Sequence, residues 1–136
     1  MLLRSLAQIV LLSILERWGK QGLEAHLRNV RKGYTERRDT FVKLAEKHLK
    51  GLAEWSSPEA GMFVWFTVPG VASTEKMIKD RAVKQKVLLV PGASFSPKEG
   101  EPSPFVRASF STATPEEMEE ALKRFAALIV EERKNQ

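Results

Sequence analysis

The chain has 136 residues, of which 43% are hydrophobic and 29% charged, and its formal net charge is +5 at pH 7. This length allows one domain with a sizeable core, and the composition is that of a soluble globular protein. Because the chain has no cysteine, disulfides and thiolate metal sites are excluded. His26 and His48 lie far apart without a nearby carboxylate cluster, so we expect no metal site.

The N-terminal run MLLRSLAQIVLLSIL is apolar but short. It superficially resembles a signal peptide, yet it lacks a small-x-small cleavage site and is followed at once by Glu16-Arg17. It is also too short to span a bilayer. We interpret Leu6 to Trp18 as a helix that is apolar on most sides because other protein covers it. We therefore expect a cytoplasmic protein with no membrane partner.

Helical periodicity continues after a loosening or kink at Gly19 and Gly22. The apolar positions of this face are Leu23, Leu27, Val30, Tyr34, Phe41, Leu44 and Leu49. The basic residues between them predict a solvated outer surface. Acidic residues interrupt that surface, so a nucleic-acid interface is the less favoured alternative and we expect no nucleic-acid partner. Gly51 fits the end of this helix.

Short strands and a second helix follow in the middle of the chain. Glu54-Trp55 predicts a short strand, and Gly61 to Val68 predicts the strongest strand of the sequence. The second strand is apolar on both faces, which is typical of a central strand covered on both sides. Ser73 or Thr74 caps a helix that runs to about Lys86. Its inward residues are predicted to be Met77, Ile78 and Ala82, with Val83 as a further candidate.

The last part of the chain predicts two more strands and a final helix. VLLV at 87–90 forms one strand, a polar loop covers 96–103, and the return strand runs from Phe105 to Phe110. Thr114 to Glu117 form a capping box that starts the final helix. This helix buries Met118, Leu122, Phe125 and Ile129. The order predicts an α+β fold, in which a long N-terminal helix precedes a small antiparallel or mixed sheet with helices packed on it.

Arg107 is a single arginine inside an otherwise apolar or small-residue strand. Strand alternation places it on one face with Phe105 and Ser109. Burying a guanidinium is costly without a partner, so either an internal carboxylate meets it or it waits for a ligand anion. Its planar fork suits a carboxylate. The alternative is a strand-edge arginine with its stem packed and its head in water.

Four sequence motifs occur in an order that resembles the C-terminal end of class I/II aminotransferases, which are pyridoxal phosphate enzymes of fold type I. The motifs are RWGKQGLEAHLRNVRKGYTERRD, LAEWSSPEAGMFVWFTV, PGASF and SPFVRASFS followed by TPEEMEEAL. They look most like the kynurenine/2-aminoadipate aminotransferase group. The resemblance covers about Leu6 to Ile129 and matches the last third or so of such an enzyme. It implies a long interdomain helix region at 1–50 and a small α+β domain at 51–136.

The resemblance also implies what this chain supplies to the enzyme. Arg107 would bind the α-carboxylate of amino acid and 2-oxo acid substrates, and Phe63 and Phe95 would form apolar walls of the pocket. Packing beneath the loop is an equal alternative for Phe95. The lysine that holds pyridoxal 5'-phosphate belongs to a large domain upstream, whose motif we do not find here. We therefore expect no catalytic or cofactor-binding residue in this chain, and a homodimer for the complete enzyme.

Two other functions fit the sequence less well. An aminotransferase-like domain can serve as the effector-sensing part of a transcription regulator, although no winged helix is visible here. A free-standing module that binds small anions is the weaker option. We expect the preferred amino donor to be set mainly by residues outside this chain.

Overall fold

The computed structural model describes residues 2–98 and 100–134, with side chains from Leu6 onward. Helix α1 spans Leu2–Leu49 and is interrupted at Gly19, where φ is 56° and ψ is −170°. Glycine adopts this left-handed conformation without the steric cost that a Cβ imposes. The helix ends before Gly51, whose φ is 76°. The predicted long helix, its kink and its end are therefore confirmed.

Four short strands form one open antiparallel sheet. Strands β1 (Glu54–Trp55), β2 (Phe63–Thr67), β3 (Val90–Pro91) and β4 (Phe105–Ser109) lie in the order β1-β2-β4-β3. Every neighbouring pair is antiparallel, and Trp65 on β2 lies directly opposite Arg107 on β4. The predicted α+β fold, with a small sheet after a long helix, is confirmed.

One face of the sheet forms the core. Val64 and Phe66 of β2 and Val106 and Ala108 of β4 are buried. They pack with the end of α1 and with helix α2 (Pro115–Lys134), and the ring of Phe66 lies 5.7 Å from that of Phe125. Further core residues come from the two helices and from the connecting segments. They include Phe41, Ala45, Leu49, Met118, Leu122, Leu128 and Ile129.

Helix α2 begins with the capping box predicted from the sequence. Thr114 N donates to Glu117 Oε2 at 2.8 Å, and Glu117 N donates to Thr114 Oγ1 at 3.3 Å. These two bonds satisfy backbone donors that have no partner inside the helix. The inward residues predicted for α2 are all buried, and Leu128 joins them.

Two predictions about the segment before β4 are wrong. The strand predicted at 87–90 is reduced to Val90–Pro91, because Lys86 has φ 58° and Val87 N donates to Ala82 O. That hydrogen bond keeps the start of the segment in the end of the preceding helix. This helix contains a π-helical turn, Met77–Ala82, that buries Met77, Ile78 and Ala82 as predicted. Val83 is instead 55% exposed.

Two predictions about surfaces also need correction. Strand β2 has one covered face only, since Phe63 and Trp65 on the opposite face are 38% and 42% exposed. The layer expected there is not formed by residues 6–98 or 100–134. The basic surface of α1 is not purely solvated either, because Arg37 donates to the carbonyl of Ala113 at 2.6 Å.

The chain divides into two compact units, Met1–Thr35 and Glu36–Gln136. The first consists of the kinked part of α1, and the second contains the sheet, α2 and the last turns of α1. The division at residue 50, taken from the resemblance, stays a prediction about the complete protein. No helix within the described residues is both long and apolar enough to cross a membrane.

Candidate functional site

The open face of the sheet gathers the residues with the strongest functional signal. Alternation along β2 and β4 places Phe63, Trp65, Phe105, Arg107 and Ser109 on this face. The aromatic members are 38–44% exposed, and Arg107 is half-buried. Large aromatic side chains exposed together on one sheet face indicate a surface that another molecule or another part of the protein covers.

The guanidinium of Arg107 lies between two phenyl rings. Its Cζ is 4.1 Å from the ring centroid of Phe63 and 4.6 Å from that of Phe95. Both distances are within the range of a cation–π interaction. The structure thus brings together the three residues that the sequence singled out from distant positions. Phe95 stands over the arginine and not beneath the loop, and it is 46% exposed.

Arg107 has no carboxylate partner on this face. Among the described residues, none accepts a hydrogen bond or ion pair from its guanidinium, so the internal-carboxylate interpretation does not hold for this part of the chain. The two phenyl rings lie over the guanidinium, and neither ring has an acceptor for the N–H groups that point outward in the guanidinium plane. Within residues 6–98 and 100–134, its N–H donors therefore have no acceptor, and two of them suit a carboxylate.

A short helical turn brings Phe95 to this place. The 3₁₀ helix Gly92–Phe95 follows β3 directly, and the carbonyl of Ala93 accepts a hydrogen bond from Ser96 N at 3.2 Å. The ring of Phe95 meets Trp65 edge to face at a centroid distance of 5.0 Å. Ser96 Oγ donates to Glu101 Oε2 at 2.7 Å, which closes the polar loop beside the aromatic rings.

Sequence reasoning missed two residues of this site. Trp65 belongs to a strand that the sequence predicts to be covered on both sides, although its spacing of two from Phe63 places both on the same face of β2. In the sequence, Pro91-Gly92 indicates only the end of the strand predicted at 87–90. A Cβ built on Gly92 would lie 2.7 Å from Phe105 Cβ and 2.9 Å from Phe105 O, and it would overlap Ser103 Oγ. These distances require glycine at this position.

The described side chains that contact Arg107 include no lysine, acid or histidine. The side chains around Arg107 are aromatic, and they offer neither an amine for a carbonyl cofactor nor an acid for a pyridine nitrogen. No group of three or more metal-binding side chains occurs in the described part of the chain. What the arrangement can do chemically is bind a carboxylate or a similar anion beside apolar walls.

Comparison with known proteins identifies the family. The model of the family "Aminotransferase class I and II" matches residues 1–125. The chain belongs to the aminotransferase class I and II family. The transcription-regulator alternative receives no support from this match or from the aminotransferase relatives.

Relatives of this aminotransferase chain are much longer than the chain itself. The mitochondrial kynurenine/alpha-aminoadipate aminotransferase of Mus musculus is 43% identical over 127 residues, which are 93% of this chain and 30% of the relative. Aminotransferase tdiD of Emericella nidulans is 39% identical over 92% of this chain and 29% of its own length. The chain thus spans about 30% of the curated relatives it matches.

Solved structures agree with this family. The kynurenine aminotransferase of Pyrococcus horikoshii is 34% identical and superposes with a TM-score of 0.76 over 85% of this chain and 28% of its own. The alpha-aminoadipate aminotransferase LysN of Thermus thermophilus, solved with N-(5'-phosphopyridoxyl)-L-leucine, has a TM-score of 0.78 at 25% identity. The superposition covers 90% of this chain and 31% of LysN. Both neighbours confirm the predicted small-domain fold.

Proposed function

We propose that this chain is the C-terminal, substrate-binding part of a pyridoxal phosphate-dependent aminotransferase. The enzyme would move amino groups between amino acids and 2-oxo acids, as the names of the kynurenine and aminoadipate relatives suggest. One observation carries the proposal. Arg107 lies on an open sheet face between Phe63 and Phe95, and its guanidinium has no acceptor among the described residues of this family member.

Arg107 binds the α-carboxylate of the substrate in this proposal. A guanidinium donates two parallel hydrogen bonds to a carboxylate, and the pair fixes the orientation of the carboxylate as well as its position. Fixing the carboxylate leaves rotation about its bond to Cα as the main freedom, so holding the amino group elsewhere in the complete enzyme would then set the direction of the Cα–H bond. Phe63 and Phe95 exclude water from the pair, which strengthens it.

Pyridoxal 5'-phosphate, when bound, supplies the electron sink that allows the Cα proton to leave. The residues around Arg107 do not form a cradle for this cofactor, so we assign its binding and the proton transfer to other parts of the complete protein. A homodimeric assembly and a cytoplasmic location also belong to this proposal. The relative from Mus musculus is mitochondrial by name, so its location does not support the second point.

The test is the loss of carboxylate recognition in the complete enzyme. Arg107→Ala should lower kcat/KM for an amino acid by about 30-fold to several-thousand-fold, since losing a desolvated charge pair costs on the order of 2–5 kcal/mol. Arg107→Lys should recover part of this, because an ammonium cannot reproduce the two-donor fork. The decarboxylated amine of the same substrate serves as the matched control and should lose little. Equal losses for both substrates would mean that Arg107 is structural.

A further inference from the structure

Two phenyl rings contact the Arg107 side chain and restrict its orientation. A long side chain on an open sheet face loses rotamer freedom only where other groups restrict it. Neither ring can accept an in-plane hydrogen bond, yet both lie within 4.6 Å of the guanidinium carbon. Restriction by aromatic faces keeps the donors free, whereas a carboxylate neighbour would occupy them.

Phe95 reaches the guanidinium only because its turn lies very close to the start of β4. The Cα of Gly92 approaches β4 so closely that an added Cβ would come within 2.9 Å of the backbone oxygen of Phe105. A backbone atom cannot rotate away as a side chain can. An alanine here must therefore displace either the 92–95 turn or the entry of β4.

The entry of β4 is the more firmly held of the two. Thr74 is fully buried, and its N donates to Ser103 O at 2.9 Å. Its Oγ1 donates to Phe105 O at 2.8 Å and to Ser103 O at 3.3 Å. The 3₁₀ turn, by contrast, has exposed residues at Ser94 and Phe95. With an alanine at position 92, the 92–95 turn is therefore the segment that moves, and Phe95 moves with it.

We propose that Gly92 is a positioning residue that acts through Phe95 on Arg107. The absence of a side chain at position 92 lets the turn pack against β4, and this packing places the Phe95 ring on the guanidinium. Trp65 supports the ring from the other side at 5.0 Å. Phe95 then contributes to substrate binding mainly by orienting the arginine. This inference rests on the proposed role of Arg107 in binding the substrate carboxylate.

A double-mutant cycle in the complete enzyme tests the inference. Gly92→Ala, Phe95→Leu and Phe95→Tyr are each made in the wild type and in an Arg107→Ala background. Gly33→Ala is the matched control, because a Cβ at Gly33 meets nothing within 4 Å. The measurements are kcat/KM for an amino acid and for its decarboxylated amine. A second readout is the Nε–H resonance of Arg107 in ¹⁵N-arginine spectra, identified by its loss in Arg107→Lys.

Gly92→Ala and Phe95→Leu should each lower kcat/KM for the amino acid by about three- to thirtyfold, in line with the loss of one partly desolvated cation–π contact. Phe95→Tyr, which keeps the ring, should recover most of the activity. In the Arg107→Ala background, both losses should nearly vanish. The Arg107 resonance should shift in Gly92→Ala and Phe95→Leu, because it leaves the ring-current field of Phe95, and should not shift in Gly33→Ala.

Two results would overturn the inference. Losses that persist at full size in the Arg107→Ala background would mean that Gly92 and Phe95 act on the substrate or the fold directly. An unchanged Arg107 resonance in both Gly92→Ala and Phe95→Leu would mean that they do not position the arginine. Failure of the proposed function is recognised separately, because Arg107→Ala would then affect amino acid and amine equally while the resonance still shifted. If Gly92→Ala fails to fold, Phe95→Leu decides the outcome.

Discussion

The arginines of this chain differ in the groups that their N–H donors contact. Arg124 donates to the carbonyl of Gln85 at 3.0 Å, and Arg133 donates to those of Leu52 and Pro69, each at 2.8 Å. These bonds hold connecting segments onto the helices and satisfy carbonyls that lie outside the sheet and helix ladders. Arg107 differs, because its guanidinium contacts two aromatic faces and forms no hydrogen bond or ion pair with the described residues. Its charge therefore contributes little to holding the chain together and remains available to a ligand.

Thr74 gives a stability prediction at the residue scale. Thr74→Val keeps the shape of this fully buried side chain but removes the hydroxyl that donates to Phe105 O, and the Phe105 carbonyl loses this partner. We expect the free energy of unfolding to fall by about 1–3 kcal/mol. Urea denaturation measures it. Thr112→Val, at an exposed position, is the control and should change stability by less than about 0.5 kcal/mol. Equal effects at both positions would contradict the structural role of the Thr74 hydroxyl.

Elements that carry a strong local signal were predictable from the sequence. Helix α2 has its capping box and inward residues where the 3.6-residue period put them, and β4 follows its two-residue alternation. Strand β3 was not predictable, because the run VLLV looks like a strand whereas the hydrogen bond from Val87 N to Ala82 O depends on how the preceding helix ends. Local composition does not encode a π-helical turn of this kind.

The candidate site was predictable only in part, for a related reason. Arg107 is unusual in its own strand, so sequence alone marks it. Its contact with Phe95 depends on the course of the chain over 92–104, and the need for glycine at position 92 arises from a neighbour eleven to thirteen residues further on. The spacing of apolar residues along the chain does not show where two segments approach each other closely. The exposure of the apolar residues Phe63 and Trp65 on β2 was not predictable, because apolar residues on an open sheet face have the same sequence pattern as core residues.

The contact between α1 and α2 predicts a pH dependence at the element scale. Hydrogen bonds from Lys47 and then His48, together with the nearby charge of Lys123, lower the pKa of Glu119 from 4.5 to about 2. A carboxyl whose pKa is lower in the folded state stabilises the fold above its unfolded pKa, and this stabilisation is lost as pH falls. We expect the contribution of Glu119 to disappear between about pH 4.5 and pH 2.

Unfolding experiments across this pH range check the prediction. Glu119→Gln should lower the free energy of unfolding at pH 6. On acidification, this variant should then lose less stability than the wild type loses. Glu116→Gln is the matched control, because Glu116 lies one turn earlier on α2 and forms no ion pair with any described residue. If Glu119→Gln and wild type lose stability in parallel between pH 4.5 and pH 2, the pKa of Glu119 is not lowered in the folded state and the prediction is wrong.

At the scale of the whole molecule, a prediction about cofactor binding follows from the composition of the site. The aromatic residues around Arg107 offer no amine to pyridoxal phosphate, and the lysines of the chain lie in helical, loop or turn positions. We expect the 136-residue chain alone to bind the cofactor weakly through many lysines and not to transaminate. Titration followed by cofactor absorbance measures this. A saturable one-to-one complex that a single lysine substitution abolishes would contradict the prediction.

The N-terminal unit gives the last prediction, because its first helical segment exposes more apolar surface than a monomer normally does. Eight large apolar side chains of this segment are each 37–60% exposed, namely Leu6, Ile9, Val10, Leu11, Leu12, Ile14, Leu15 and Trp18. Leu2 and Leu3 belong to the same apolar run in the sequence, but their side chains lie outside the described residues. An apolar patch of this size marks an interface, and each buried CH₂ group would gain about 0.8 kcal/mol in it.

We therefore expect the isolated chain to self-associate, and deletion of the residues before Trp18 to reduce the association. Sedimentation velocity over a hundredfold range of concentration measures it. A chain that remains monomeric throughout, with amides of residues 6–18 protected from hydrogen exchange, would show that this surface needs no partner.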